Sequence, residues 1–99
     1  MNKKVITIDK DLEDLVPTYI ESRKKELIKL NELYSQGAIK EITVIAHKLA
    51  GNAGGYGLQE LTDIGRRMEA AGNAQEKEKI KVEIENVRLY LDQIEIKFE

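Results

Sequence analysis

The chain has 99 residues, enough for one hydrophobic core and too few for two. Its 16 basic and 18 acidic side chains leave a net charge of -2, so it lacks the basic excess that nucleic-acid binding requires. With no cysteine and one histidine, it can build neither a disulfide framework nor a thiolate or multi-histidine zinc site. No apolar run approaches the roughly 20 residues of a membrane span. Met1-Asn2-Lys3-Lys4 leads into only Val5 to Ile8 before acids begin, so no signal peptide is read and a soluble, cytoplasmic protein is expected.

In chain order, residues 1–8 read as an N-terminal tail and 9–99 as a single domain. Asp9, Asp11, Glu13 and Asp14 crowd a predicted helix N-terminus, where the macrodipole favours negative charge. Pro17 either kinks this helix or starts its main part, because it has no N–H to donate. Leu12, Val16, Tyr19, Leu27, Leu30 and Tyr34 keep helical spacing, Arg23 fills the one polar gap, and Gly37 closes the helix. Ile39, Ile42, Ile45, Ala46, Leu49 and Ala53 define a second helix, which runs to the break at Gly54-Gly55-Tyr56-Gly57. Leu58, Leu61, Ile64, Gly65 and Met68 define a third, ending at Gly72.

The last segment carries two patterns. Ile80/Val82/Ile84, Val87/Leu89/Leu91 and Ile94/Ile96/Phe98 alternate as strands do, but Ile80, Ile84, Val87, Leu91, Ile94 and Phe98 also step by four and three. No glycine or proline interrupts Gln75 to Glu99, so a fourth helix is predicted. Its leftover Val82, Leu89 and Ile96 form a second apolar stripe, which must meet the N-terminal segment, a partner or a second copy. Four amphipathic helices on short connections give an all-α, antiparallel four-helix bundle as the expected fold.

The single histidine stands out against this frame. On the wheel of the second helix, His47 lies about 140° from the centre of the apolar sector and so faces outward. Gly51 follows one turn later on the same side, at a cost of about 1 kcal/mol relative to alanine in a helix interior. Close helix packing is its ordinary explanation, and a plain interhelical turn is that of Gly54 to Gly57. The alternative is a bare strip that lets a flat partner approach the imidazole. Lys40, Thr43, Val44 and Lys48 surround it, a small, mildly apolar and positive setting that suits an anion on the ring and a docked protein around it. The glycine run lacks the Gly-Lys-Ser/Thr ending of a P-loop and follows a helix, which excludes an ATP cradle. Ser22 and Ser35, on another helix, make no hydrolase constellation with His47.

Through His47, Leu49, Gly51, Asn52-Ala53, Gly57, Leu61 and Met68-Glu69, the chain resembles the histidine phosphotransfer (HPt) family of multistep phosphorelays. The resemblance implies a four-helix bundle in which His47 accepts a phosphoryl group from a receiver-domain aspartyl phosphate and passes it to another receiver aspartate. It implies a phosphoryl carrier that is not an enzyme and has no kinase site or cofactor of its own. The Mg2+ would be held by the receiver. Partners would be response-regulator receivers and a hybrid histidine kinase, with no nucleic acid and no membrane. A monomer is expected, with a dimer through the fourth helix as the other possibility.

The family's lysine three residues after the histidine is Ala50 here, which leaves Lys48, on the other flank of His47, as the cation to replace it. The resemblance also gives Glu69 a role, holding Nδ1–H of the imidazole so that Nε2 points outward; an i,i+3 ion pair with Arg66 is its other use. Lys40, Thr43, Val44, Gly54 and Gly55 are the expected receiver-docking residues. A helical adaptor that binds a receiver without chemistry, and a structural bundle that self-associates through its last helix, are the alternatives.

Overall fold

The computed structural model describes residues 3–99. Its elements are strand β1 (Lys4–Ile8), helices α1 (Val16–Ser35), α2 (Ile39–Asn52), α3 (Gln59–Asn73) and α4 (Lys77–Gln93), and strand β2 (Ile94–Phe98). The four helices form a bundle. Contacts at matching levels show that neighbours run antiparallel: Tyr19 reaches Asn52, Thr43 meets Gly72, Arg67 pairs with Glu83, and Tyr34 donates to the Lys77 carbonyl.

Pro17 decides where α1 begins. Its ring would clash with a carbonyl four residues upstream in a continuous helix, so it occupies the first turn. The acids before it therefore cap a separate element rather than α1. Asp9 Oδ1 accepts from the Asp11 N–H at 2.8 Å and opens a single 3-10 turn over Lys10–Leu12. Two glycines close connections in left-handed conformations that side chains resist. Gly37 (φ 70°) ends α1, and Gly57 (φ 84°) ends the 3-10 turn Ala53–Tyr56 that links α2 to α3.

One core runs through the bundle. Val16, Leu30, Ile42, Leu49, Leu58, Leu61, Met68 and Ile80 are almost entirely enclosed, and Ile8 joins them from β1. Arg23, the polar gap in the α1 stripe, lies over the Tyr19 ring at 4.6 Å, its stem covering apolar surface while its charge faces Glu26.

Both ends of the chain depart from expectation. Lys4–Ile8, expected within a tail, is a strand; Met1 and Asn2 of that tail lie outside the described residues. The fourth helix stops at Gln93, and Ile94–Phe98 runs beside β1 as a parallel two-stranded ribbon, Lys4 opposite Ile94 and Ile8 opposite Phe98. Helical and strand periods coincide over this stretch, and the choice falls to the partner available. Ile6 and Ile8 present a matching alternation, and pairing satisfies backbone groups at both ends of the chain together. The second apolar stripe is therefore shortened on the helix to Val82 and Leu89. Val82 and Leu89 are exposed on α4, whereas Ile96 has left the helix and meets the N-terminal segment, pairing opposite Ile6. Among the described residues no helix is long and apolar enough to cross a membrane.

Candidate functional site

Helix α2 carries the site because its two faces differ. Ile42, Ala46 and Leu49 are buried on the inner side, followed by Ala53 just beyond the helix. On the outer side the His47 side chain is 75% exposed, and its Nδ1 lies 2.6 Å from Oε2 of Glu69 on α3. A carboxylate can only accept, so the facing ring nitrogen carries the proton. The lone pair is then on Nε2, at the far, solvent side of the ring. Arg66 does not compete for this carboxylate; it stands 3.6 Å from Asp63 instead.

The separation of α2 and α3 makes that contact possible, and two glycines set it. A Cβ on Gly65 would lie 2.7 Å from the Ala50 backbone nitrogen and 3.1 Å from the Ala46 carbonyl oxygen. One on Gly72 would lie 2.0 Å from Thr43 Oγ1. Gly65 is four residues before Glu69 and Gly72 three after it, so both bracket the carboxylate on the face of α3 turned to α2. Ala50 is half-buried at this seam. In the sequence Gly65 reads only as one more member of the α3 core pattern, and Gly72 only as a terminator. Their seven-residue spacing on one helix face was the available signal of close approach.

The other glycines divide differently. A Cβ on Gly51 or Gly55 would meet nothing within 4 Å, so helix packing does not account for Gly51. Gly54 belongs to the hairpin: its N–H donates to Thr62 Oγ1 at 2.7 Å, and a Cβ there would crowd that hydroxyl at 3.3 Å.

Of the expected docking residues on α2, Lys40 is exposed and Val44 is half-exposed, both along a shallow groove between α2 and the end of α3. Thr43 lines that groove too, but its hydroxyl donates to the Ile39 carbonyl at 2.8 Å and its side chain packs toward Gly72. Its first duty is thus at the helix seam. Lys48 is exposed on the α1 side, where its charge acts on Glu26. Burial pushes the Glu26 carboxyl above its ordinary range, against the opposing pull of Arg23 and Lys48. The cation and the carboxylate therefore flank the imidazole from opposite sides, Lys48 toward α1 and Glu69 on α3.

A second anchor, invisible in the sequence, holds the end of α2. The Tyr19 hydroxyl of α1 donates to Asn52 Oδ1, and the Tyr19 ring stacks on Tyr56 with centroids 4.1 Å apart. Burial raises the Tyr19 hydroxyl above its usual range, which keeps it a neutral donor.

The Glu69→Ala variant is expected to shift the His47 imidazole from its Nδ1–H form toward a mixture of tautomers. Nitrogen NMR would show this, and an unchanged spectrum would mean that the carboxylate does not orient the ring.

Compared with known proteins, the chain matches one family model, described as Hpt domain, over residues 12–96. No curated protein and no solved structure matches it.

Proposed function

The chain belongs to the Hpt domain family, the phosphocarriers of histidine phosphotransfer in two-component signalling, and from that premise we propose that His47 is its phosphoryl acceptor and donor. The observation that carries the proposal is a lone exposed imidazole whose Nδ1 is engaged by Glu69, with open space over Gly51 and Gly55 beside it. The Nε2 lone pair attacks the phosphorus of a receiver aspartyl phosphate. An N–P bond forms, the acyl O–P bond breaks, and the aspartate leaves as a carboxylate. The proton stays on Nδ1, where Glu69 stabilises the positive charge that develops on the ring. The second half runs in reverse to another receiver aspartate.

The transition state is loose, so placement and charge neutralisation outweigh covalent chemistry. The receiver holds the Mg2+, and this chain requires no cofactor. Lys48 supplies a positive charge on the α1 flank, in place of the family lysine that is Ala50 here. The docking face comprises Lys40, Val44, Gly51 and Gly55, with Thr43 and Gly54 shaping its edges; a cytoplasmic setting, beside receivers and a hybrid kinase, follows from the same role.

Incubation with a phosphorylated receiver domain, followed by intact mass measurement at neutral pH, tests the proposal. One added phosphoryl group is the expected result. Receivers that bind but leave the mass unchanged would reduce the chain to a docking adaptor. The docking face has its own test in Gly51→Gln. This change should preserve the fold and raise helix stability by up to about 1 kcal/mol, while slowing transfer from the receiver by about tenfold or more through steric exclusion. Unchanged transfer would leave the glycine without a docking role.

A further inference from the structure

Among the described residues, strand β2 has β1 on one side and no strand on the other. The hydrogen bonds at the end of the ribbon show which groups face which way. The Glu99 N–H donates to the Ile8 carbonyl and the Lys10 N–H to the Glu99 carbonyl, each at 3.0 Å. Backbone groups alternate sides along an extended strand, so Glu95 and Lys97 also face β1, and the N–H and C=O of Ile96 and Phe98 face the open edge. Such an edge is a template for another strand, and a two-stranded ribbon gains most from one.

The side chains specify the partner. Read outward from Ile96, the strand Ile94-Glu95-Ile96-Lys97-Phe98 is apolar, then charged, then apolar in both directions, with opposite charges on the two sides. Antiparallel pairing of two copies about a two-fold axis at Ile96 sets Glu95 of each copy opposite Lys97 of the other. Ile94 then faces Phe98 of the other copy, and Ile96 faces Ile96. Because Ile96 presents its backbone groups to the edge, the central pair is hydrogen-bonded. The two Glu95–Lys97 pairs fall at non-hydrogen-bonded positions, where side chains approach most closely. Parallel in-register pairing would instead set Glu95 against Glu95 and Lys97 against Lys97. Both charged side chains are exposed, and among the described residues Lys97 has only Glu99, at 3.8 Å, as an ion-pair partner.

On the opposite face, Ile94, Ile96 and Phe98 line a groove of about 330 Å³ with Val16, Pro17 and Ile20 of α1, where Glu21 and Lys24 add its charged part. A second copy would bring its own Ile96 and Phe98 to that side of the sheet. We propose that the chain forms a two-fold dimer by antiparallel β2–β2 pairing, giving a four-stranded sheet in the order β1-β2-β2-β1. The dimer uses none of the residues assigned to the His47 site and does not depend on phosphotransfer.

Sedimentation velocity of the full chain, from micromolar to millimolar concentration, tests it. The wild type should show a reversible monomer–dimer equilibrium. Glu95→Lys and Lys97→Glu should each weaken the dimer by about tenfold or more, since each turns two attractive pairs into two repulsive ones. The double charge swap should restore it to near the wild-type value, a rescue that only this register permits. A wild type that stays monomeric to millimolar concentration would overturn the proposal. So would a dimer that the single reversals leave unmoved or that the swap fails to rescue.

Discussion

The mass of the His47→Gln variant is expected to stay unchanged after incubation with a phosphorylated receiver domain, under conditions in which the wild-type chain gains one phosphoryl group. Glutamine retains hydrogen-bonding capacity at the position but offers no nitrogen lone pair that could attack phosphorus, so acceptance is lost outright rather than slowed. The fold should not change with it. The side chain is three-quarters exposed, and an exposed contact such as the one to Glu69 contributes little to stability, so unfolding should shift by less than about 1 kcal/mol. Circular dichroism and receiver binding should therefore match the wild type. Phosphoryl gain by the variant would place the acceptor elsewhere, and loss of helicity would contradict the outward placement of the ring.

Gly65→Ala should reduce both stability and transfer. The added methyl meets backbone atoms of α2, which cannot rotate away as the tip of a long side chain could, so the helices must separate. Overpacking of this kind costs about 1–3 kcal/mol. In a domain of this size, that lowers the melting temperature by roughly 4–8 °C per kcal/mol. Separation also draws Glu69 away from the imidazole, so the Nδ1–H tautomer should lose population and phosphoryl acceptance should slow even at temperatures where the variant is fully folded. Gly55→Ala is the matched control for packing, because its new methyl meets nothing within the chain, so neither the melting temperature nor the tautomer should move. If Gly65→Ala melts lower yet keeps the wild-type tautomer and rate, the glycine serves packing alone, and Glu69 reaches His47 without its help.

The effects separate the determinants of the site. In the proposed function His47 supplies the reacting atom and Glu69 sets which nitrogen holds the proton, while Gly65 with Gly72 sets how near that carboxylate can come. Each layer has a separate readout in mass, tautomer and melting temperature.

Local sequence was sufficient for the four helices and for the direction in which His47 points. The apolar period of α2 places Ala46 and Leu49 inward and leaves His47 outward, whatever α2 packs against. Pro17 and the glycines at 37 and 57 mark boundaries for similarly local reasons, because φ is restricted by a ring or freed by a missing Cβ. Tertiary structure decided the rest. Tyr19 bonding to Asn52, and Gly65 fitting against Ala50, depend on helix separations that no single-helix pattern contains. The C-terminal segment is the clearest case. Its residues suit a helix and a strand equally, and only pairing with a segment from the other end of the chain resolves Ile94–Phe98 as a strand. Helical hydrogen bonds close within four residues and leave their mark on nearby sequence, whereas a parallel strand takes its partner from anywhere in the chain, so its existence is settled only when the fold brings the two ends together.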